Sequence, residues 1–370
     1  MKHLVLIGAC ALDTILTVPT YPPEDAKQRA SSLSVRRGGN CPNTLEVLHH
    51  LLSSSSPNQQ DNNNNIKTHL ISTLPSRSSP AITKIISSFG PGASKIDFSH
   101  CLHREGHTES VSSYIIRSLE TGSRTVVNYN DLPEMTADEF ETILDKLLLL
   151  STSSNEDSKG EEDTWWFHFE GRIPETTLQC IRHIRRRTLK PTTTTTTISV
   201  ECEKPNRPGL IELAAEADIV FYSSTWAESR GYHNPEACLR GEAPSSRASL
   251  MLCTWGANGA GMLIRNLGGD GENGEKEEEE DVYIHHSPAT SSKDGKPIKV
   301  VDTIGAGDTF IAGVLYASLS SSSSSHMDAD NNNNDDKAWS QKAKLAFAVE
   351  LATRKVQAEG FAHLAAQQQP

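Results

Sequence analysis

The chain has 370 residues, of which 36% are hydrophobic and 22% are charged, and its formal net charge is −12. This composition is typical of a soluble globular protein with a substantial core. The acidic balance argues against a nucleic-acid partner, because phosphate backbones are bound by basic surfaces. The longest early apolar run, Leu4 to Leu12, is too short to span a bilayer, so no membrane partner is expected.

The cysteines favour a cytoplasmic location. Seven of them are scattered along the chain, and no two have the spacing Cys-x-x-Cys. This pattern favours reduced thiols in a cytosolic protein over a disulfide framework or a zinc site. A single lysine followed by a short apolar run is also a poor export signal.

Five tracts of low complexity interrupt the chain, at residues 53–65, 151–163, 190–197, 268–281 and 320–337. They are rich in Ser, Asn, Thr or Glu and carry too few apolar residues to become ordered by burial. We interpret them as loops inserted into a single domain that spans residues 1–370.

The first predicted element is a buried strand from Lys2 to Cys10, with Asp13 at its carboxyl end. Ligands of open α/β sheets bind at that edge, which makes Asp13 a candidate for binding a polar ligand. The alternative is an ordinary turn carboxylate in solvent.

The next candidate segment contains Gly38, Gly39, Asn40 and Asn43, and a helical pattern follows from Thr44 to Leu52. Glycines before a helix let the backbone approach a ligand closely, and each Asn amide both donates and accepts hydrogen bonds. These groups suit a sugar with many hydroxyls. The alternative is a simple Asn cap of the helix.

Four segments with strand-like alternation predict a small sheet separate from the main one. They are Ile15 to Val18, Arg29 to Val35, Ser110 to Ile116 and Arg124 to Tyr129. They place the small sheet within residues 14–37 and 108–130.

Polar residues recur directly after the later predicted strands. Trp165 to Phe169 is followed by Glu170, Ile198 to Val200 by Glu201, and Ala217 to Phe221 by Tyr222, with helical stretches between them. This alternation predicts an α/β fold with a mostly parallel sheet covered by helices.

A glycine loop with Gly256, Asn258 and Gly259 lies between two further predicted strands. Such a loop suits a nucleotide, although a plain hairpin turn is the alternative. It is not a Walker A motif, because no Gly-Lys-Ser/Thr occurs in the chain.

Three histidines, His100, His103 and His107, have a spacing that could bind a metal ion. No frame of carboxylates or thiolates accompanies them beyond Cys101, so we predict no metal site made of protein ligands.

The segment from Asp302 to Phe310 predicts the centre of a functional site. It is interpreted as a strand end at Ile298 to Val301, a glycine turn, and a helix with an apolar face. A helix N-terminus presents unpaired N–H groups and a positive dipole end that suit a phosphate, and Asp308 adds a carboxylate. The same dipole predicts that Asp308 is ionised at neutral pH. The dinucleotide fingerprint fails here, since Phe310 stands where its last glycine would fall, which argues against a Rossmann oxidoreductase.

Several segments, in the same order, resemble those of the PfkB (ribokinase-like) family of carbohydrate kinases. They are Leu12-Asp13, Tyr21-Pro22-x-Glu24-Asp25, Arg37-Gly38-Gly39-Asn40-x-x-Asn43, Ser123-Arg124-Thr125-Val126-Val127, His168-Phe169-Glu170-Gly171-Arg172, Ser199-Val200-Glu201-x-Glu203-Lys204-Pro205, Glu236-Ala237-x-Leu239-Arg240-Gly241 and Val301-Asp302-Thr303-x-Gly305-Ala306-Gly307-Asp308-Thr309-Phe310. The last is the most specific for the family. The resemblance implies a three-layer αβα sandwich whose small β-sheet is a lid, and two lids that clasp each other in a homodimer.

The resemblance also implies roles for single residues. Asp308 would be the base facing the acceptor hydroxyl, and Gly305, Ala306 and Gly307 would form the anion hole. The sugar would be bound by Asp13, Gly39, Asn40, Asn43 and Arg124, with Asp25 reaching into the partner's site. Gly256, Asn258 and Gly259 would border ATP, which would bring Mg²⁺ held largely by phosphates and water.

One departure from the family pattern concerns this ion. Ser223-Ser224-Thr225-Trp226 stands where many members have Asn-x-x-Glu, a motif that organises magnesium and phosphate.

The function implied is ATP-dependent phosphorylation of a sugar hydroxyl, with fructose or another ketohexose giving its 1-phosphate. The alternatives are a kinase of the same family for ribose, a nucleoside or another sugar, and a catalytically inactive sugar-binding regulator.

Overall fold

The computed structural model describes residues 1–54, 65–153, 163–188, 195–265, 281–288, 297–320 and 339–366. The strands of these ranges are β1 (Lys2–Ile7), β2 (Ala11–Val18), β3 (Ser32–Gly38), β4 (Ile66–Ile71), β5 (Thr73–Pro75), β6 (Ile96–Asp97), β7 (Leu102–Arg104), β8 (Val111–Ser118), β9 (Arg124–Tyr129), β10 (Thr164–Phe169), β11 (Thr195–Cys202), β12 (Ile219–Ser223), β13 (Leu250–Thr254), β14 (Ala260–Ile264) and β15 (Val282–His286). The α-helices are α1 (Asn40–Ser53), α2 (Pro80–Ser87), α3 (Ala137–Ser153), α4 (Pro174–Thr188), α5 (Leu210–Ala215), α6 (Ser224–Ser229), α7 (Pro235–Glu242), α8 (Ala306–Leu319) and α9 (Gln341–Lys355).

The main sheet has, within the described ranges, the strand order β15-β14-β13-β12-β11-β10-β1-β4-β6. The strands from β13 to β6 in this order are parallel, and β14 and β15 add an antiparallel edge. Alternate residues of β1 enter different cores: Leu4 and Leu6 pack on one face, and Val5 and Ile7 pack on the other. A sheet buried on both faces explains why its strands are continuous apolar runs.

Helices cover both faces of this sheet. The core with Leu4 contains buried residues of α1, α8 and α9, and the core with Val5 contains those of α4, α5 and α7. The expected three-layer αβα sandwich with a mostly parallel sheet is therefore confirmed. No helix of the described ranges is long and apolar enough to cross a membrane.

The predicted small sheet is also present and separate from the main one. Its strand order is β3-β2-β8-β9, with β2 antiparallel to β3 and parallel to β8. We call it the lid. A further pair, β5 with β7, is short.

Several predicted boundaries are wrong. β1 ends at Ile7, and Asp13 lies within β2 of the lid instead of in a turn after the first strand. Ile298 to Val301 is not a strand, and Val301 instead donates its N–H to Val356 O. In helix α8 the residues from Asp308 to Ala317 are all buried, so the helix has no single apolar face.

The low-complexity tracts are shorter in the structure than the sequence indicates. Thr195 to Thr197 belong to β11, where they pair with Thr164 to Trp166, because β-branched residues suit a strand. Ser53 ends α1, and Ser151 to Ser153 end α3. The central parts of all five tracts lie outside the described residues.

Candidate active site

A cleft of about 400 Å³ lies between the lid and the carboxyl ends of the central parallel strands, a volume that suits a small ligand. Nine of the residues predicted for the site line it: Asp13, Gly39, Asn40, Asn43, Arg124, Gly305, Ala306, Gly307 and Asp308. Residues separated by almost 300 positions in sequence thus meet in one place.

The start of helix α1 forms one wall of the cleft. Gly39 has φ 108°, and a Cβ there would lie 2.1 Å from the carbonyl oxygen of Ala9, so the position admits only glycine. The next residue, Asn40, donates from Nδ2 to Glu201 Oε2 at 2.8 Å and to Glu203 Oε2 at 2.9 Å. The close backbone approach therefore places an amide against two carboxylates.

Asn43, one turn later, connects two elements. Its Nδ2 donates to Asp308 Oδ2 at 2.7 Å, and its Oδ1 accepts from Arg37 Nη1 at 3.0 Å. Arg37 is buried and also bonds Ser88 Oγ and Glu46 Oε2. The Asn43 amide therefore orients Asp308, and its predicted contact with a sugar stays a prediction.

The turn before α8 forms the opposite wall. Gly305, with φ 78°, precedes the helix, and a Cβ there would lie 2.5 Å from Cζ of Phe361. The N–H of Ala306 donates to Thr303 O, so this donor is already engaged. Below the turn, the buried Lys355 Nζ lies 2.9 Å from Asp302 Oδ2 and holds the segment to the end of α9.

Glu201, Glu203 and Asp308 line the cleft, and Glu170 interacts electrostatically with Asp308. Burial and the charge of Glu201 raise the pKa of Glu170 to about 7, and burial together with the charge of Glu203 raises that of Glu201 to about 8. Burial and Glu201 also raise the pKa of Asp308 well above its ordinary value, although the Asn43 hydrogen bond opposes this. Desolvation and three neighbouring carboxylates thus oppose the ionisation of Asp308 that the helix dipole favours.

A buried hydrogen-bond chain supports this cluster from below. Trp166 Nε1 donates to Ser199 Oγ at 2.8 Å, Ser199 Oγ lies 2.8 Å from His168 Nδ1, and His168 Nε2 lies 2.9 Å from Glu201 Oε1. Burial lowers the pKa of His168 to about 3, so the ring is neutral and donates through one nitrogen only. We assign the proton to Nε2, since Ser199 then donates to Nδ1 and every group in the chain has a partner.

The lid closes the cleft with its inner face. Asp13 is on this face, where burial raises its pKa while a hydrogen bond with Ser113 and the charge of Arg36 lower it. A Cβ on Gly38 would lie 2.7 Å from Asp13 Oδ2, so a side chain there would displace this carboxylate. Arg36 Nη1 also reaches Asp302 Oδ2 at 3.4 Å, which connects the lid to the turn before α8.

Four of the predicted site residues do not line the cleft. Gly256, Asn258 and Gly259 form the tight connection of the β13–β14 hairpin, and a Cβ on Gly259 would lie 2.0 Å from His286 O. Asp25 is exposed, with φ 60°, in the loop between β2 and β3.

In the segment that stands in place of Asn-x-x-Glu, Ser223 and Trp226 make local structural contacts. Ser223 Oγ accepts from Trp226 N as the cap of α6, and it donates to the carbonyl of Glu203. Trp226 is buried in the core. This segment offers no carboxylate to a metal ion.

Sequence reasoning assigned no role to His168, Glu170, Glu201, Glu203 and Lys355. The carboxylates were detectable in principle, because each follows or ends a predicted parallel strand, and such strand ends meet at one edge of a sheet. The buried Lys355 had no such signal, since the sequence does not show which lysine is enclosed.

Comparison with known proteins gives consistent results. The profile of the pfkB family carbohydrate kinases matches residues 279–365. Ketohexokinase of Mus musculus is 27% identical over 363 residues, covering 97% of this chain and 98% of its own.

Among solved structures, the ribokinase of Giardia lamblia superposes with a TM-score of 0.66 at 13% identity, covering 98% of this chain and 95% of its own. The ribokinase of Arabidopsis thaliana, complexed with ribose and ATP, superposes with a TM-score of 0.64 at 16% identity, covering 99% of each chain. At these identities, the two superpositions show similarity of fold only.

The fold is ribokinase-like, and the similarity to a ketohexokinase along nearly the whole chain supports an ATP-dependent carbohydrate kinase. The chain resembles the pfkB family of carbohydrate kinases, whose profile matches its residues 279–365.

Proposed function

We propose that the protein phosphorylates a ketohexose such as fructose at its 1-hydroxyl, with ATP as the donor. The observation that carries this proposal is the position of Asp308, a carboxylate in the first turn of α8 that Asn43 orients in a cleft with Asp13, Asn40 and Arg124. The sugar class follows from the similarity to a ketohexokinase along nearly the whole chain.

Asp308 would accept the proton of the attacking hydroxyl. Its Oδ2 is held by Asn43, which leaves Oδ1 for the substrate. The N–H groups of Gly307 and Asp308 would stabilise the transferring phosphoryl group, because the N–H of Ala306 is engaged by Thr303. Transfer of this kind depends mainly on alignment and on charge stabilisation, and a helix N-terminus supplies both.

Mg²⁺ accompanies ATP, and the residues present suit this ion. It prefers oxygen ligands, and Glu201 and Glu203 place carboxylates at the cleft while the segment at Ser223 supplies none. The charge of Glu203 raises the pKa of Glu201, a repulsion that a cation would relieve. Glu201 and Glu203 would therefore hold the ion, whose role is to neutralise charge on the phosphates.

The nucleotide would lie beyond the anion hole, toward the hairpin with Gly256, Asn258 and Gly259. Thr254, at the end of β13, lines the cleft and precedes this hairpin, which supports the assignment.

A sugar panel tests the substrate. The protein with ATP and Mg²⁺ is incubated with fructose, other ketohexoses, ribose and a nucleoside, and the phosphorylated position is determined by NMR. We expect the highest kcat/KM for a ketohexose and a 1-phosphate product. A preference for ribose or a nucleoside would show that the substrate is not a ketohexose. Sugar binding without turnover of any sugar would favour a catalytically inactive regulator.

The variant Asp308→Asn tests the base. The amide oxygen still accepts from Asn43, so the fold should persist, while the loss of a proton acceptor should lower kcat by at least about 10²-fold. Unfolding by denaturant serves as the control, because removal of a buried carboxylate should not lower the free energy of unfolding. Retained turnover would refute Asp308 as the base.

The protein would act as a homodimer in which two lids meet, in the cytoplasm. The lid face opposite the cleft supports this, since Val35, Thr14, Tyr114 and Val127 form one row across its four strands. Val35, Tyr114 and Val127 are 46%, 50% and 61% exposed. An exposed apolar row of this kind is typical of an interface.

A further inference from the structure

A second cluster of chemically active side chains lies at the β6 edge of the main sheet, away from the cleft. It consists of His69 on β4, Asp97 on β6 and His100 in the turn that follows, and we call it the edge cluster. In the sheet, β1 and β10 separate it from Glu201 on β11. The proposed kinase mechanism does not use any of its residues.

The three side chains direct one ligand atom each to a common point. Asp97 Oδ2 lies 3.2 Å from His69 Nδ1 and 3.5 Å from His100 Nε2, and all three atoms lie within 4.8 Å of one another. Ligand atoms around a tetrahedral zinc ion, bound at roughly 2.0–2.2 Å, are separated by about 3.3 Å. The two distances to Asp97 Oδ2 are close to this separation, and the third distance is below 4.8 Å.

One of these atoms has only a weak polar contact. His100 Nε2 is enclosed, on a side chain that is 8% exposed, and its contact with Asp97 Oδ2 at 3.5 Å is long for a hydrogen bond. A buried polar nitrogen with so poor a contact is costly, and coordination to an ion would satisfy it.

The surroundings have the second layer of contacts that metal-binding histidines require. His69 Nε2 lies 3.2 Å from His3 Nδ1, and the His3 ring stacks on Trp165 with centroids 4.0 Å apart. When His69 Nδ1 binds an ion, its Nε2–H can donate a hydrogen bond to His3 Nδ1. Asp97 Oδ1 is held by Ser99 N at 2.8 Å, which orients Oδ2 inward.

We propose that His69 Nδ1, Asp97 Oδ2 and His100 Nε2 bind a divalent transition-metal ion of the zinc class, with water as the fourth ligand. Two imidazoles and one carboxylate suit such ions, in contrast to the all-oxygen ligands that suit Mg²⁺. The Asp97 side chain is 36% exposed, which gives the ion a path from solvent. The ion fastens the two-residue edge strand and its turn to β4.

This site differs from the one that the histidine spacing suggests. His103 Nδ1 lies 3.0 Å from Pro75 O, and His107 Nδ1 lies 3.2 Å from Asp131 Oδ2. Only His100 of the three reaches the cluster, and its partners come from β4 and β6.

Cobalt and zinc titrations test the proposal. The full-length protein is freed of metal with a chelator and titrated with Co²⁺, and its visible absorption and its melting temperature are recorded. We expect one equivalent with the spectrum of a nitrogen- and oxygen-ligated ion, displacement by Zn²⁺ but not by excess Mg²⁺, and a rise in melting temperature of several degrees.

His100→Gln and Asp97→Asn should each weaken binding at least tenfold and lose the rise in melting temperature, whereas His103→Gln, the matched control, should keep both. Kinase turnover with Mg²⁺ and ATP, equal in all variants, shows that they are folded. If one of the variants His100→Gln and Asp97→Asn does not fold, the other is sufficient to test the proposal. Equal Co²⁺ binding by His100→Gln and wild type, or a spectrum dominated by thiolate ligands, would overturn the proposal.

Discussion

The hydrogen bond from Asn43 affects the pKa of Asp308, and the effect can be measured in the pH dependence of turnover. This hydrogen bond lowers the pKa of Asp308, whereas burial and Glu201 raise it. A base works only when ionised, so turnover should rise with pH through the raised pKa of Asp308.

In Asn43→Ala the opposing hydrogen bond is lost, and the acid limb of the profile of kcat/KM against pH should move to higher pH. At pH 7 we expect kcat to fall about 10- to 100-fold with a smaller change in KM, because a positioning contact is removed. An unchanged acid limb with a large rise in KM would instead make Asn43 a direct sugar ligand.

Glu170 provides a prediction about stability. Its pKa is raised to about 7 in the folded protein, so the folded state holds a proton that the unfolded state releases at a lower pH. The contribution of Glu170 to the free energy of unfolding is therefore fully present below the pKa that this side chain has in the unfolded chain. It is lost as the pH rises through about 7. Each unit of such a shift is equivalent to about 1.4 kcal/mol.

Glu170→Gln keeps an acceptor for Ala9 N and removes the charge. Without ligands, its free energy of unfolding should match that of wild type at about pH 4, below the unfolded pKa, and exceed it by about 1–3 kcal/mol at about pH 8.5, measured by urea unfolding. The exposed Glu228→Gln is the control and should behave like wild type at both values. A parallel pH dependence of Glu170→Gln and wild type would contradict the raised pKa.

Single residues differ in how far the sequence reveals them. The patterns around Asp308 and Asn40 made each a candidate for binding a ligand, and the resemblance to a known family implied that both belong to one site. The state of ionisation was not predictable in this way. It depends on Glu201 and Glu203, which approach Asp308 only through the folding of the sheet.

At the scale of elements, the start of α1 depends on the backbone contact between Gly39 and Ala9. In Gly39→Ala the new Cβ would meet Ala9 O at 2.1 Å, with φ 108° adding strain. We expect the free energy of unfolding to fall by about 3–5 kcal/mol and the KM for sugar to rise, because Asn40 moves with the helix start.

Gly90→Ala is the matched control for this prediction. Gly90 also has positive φ, at 58°, but its added Cβ would meet no atom within 4 Å. Its cost should be about 1–2 kcal/mol, with KM unchanged. Equal losses in the two variants would show that backbone conformation alone, and not the contact with Ala9, matters at Gly39.

How well a helix or strand can be predicted from the sequence depends on how it is buried. The strands of the main sheet were recognisable because both of their faces are apolar, as in Trp165 to Phe169. The segment Ile298 to Val301 has a similar apolar pattern but forms no strand, and it instead bonds the end of α9 through Val301. Local sequence does not distinguish these two outcomes, since the difference lies in the tertiary partner.

At the scale of the whole molecule, the lid connects the proposed dimer to the proposed catalysis. Its inner face carries Asp13 and Arg124 to the cleft, and its outer face presents the row with Tyr114 and Val127. If two lids pair through this row, a charge placed in it should separate the subunits, because an unpaired charge is costly in an apolar interface.

Sedimentation velocity of Val127→Asp should therefore show monomers at concentrations at which wild type is dimeric. The exposed Thr121→Asp, in the turn between β8 and β9, is the control and should stay dimeric. A monomeric wild type would refute the dimer directly.

Mixed dimers extend this prediction to Asp25, which lies in an exposed loop of the lid and outside the cleft of its own subunit. If it completes the partner's site, Asp25→Asn and Asp308→Asn should each be inactive alone. Subunits of the two variants that are unfolded and refolded together should regain about a quarter of wild-type activity, since half of the dimers are mixed and each has one complete site. Refolding the variants separately before mixing is the control. No recovery in jointly refolded dimers would mean that Asp25 acts within its own subunit or not at all.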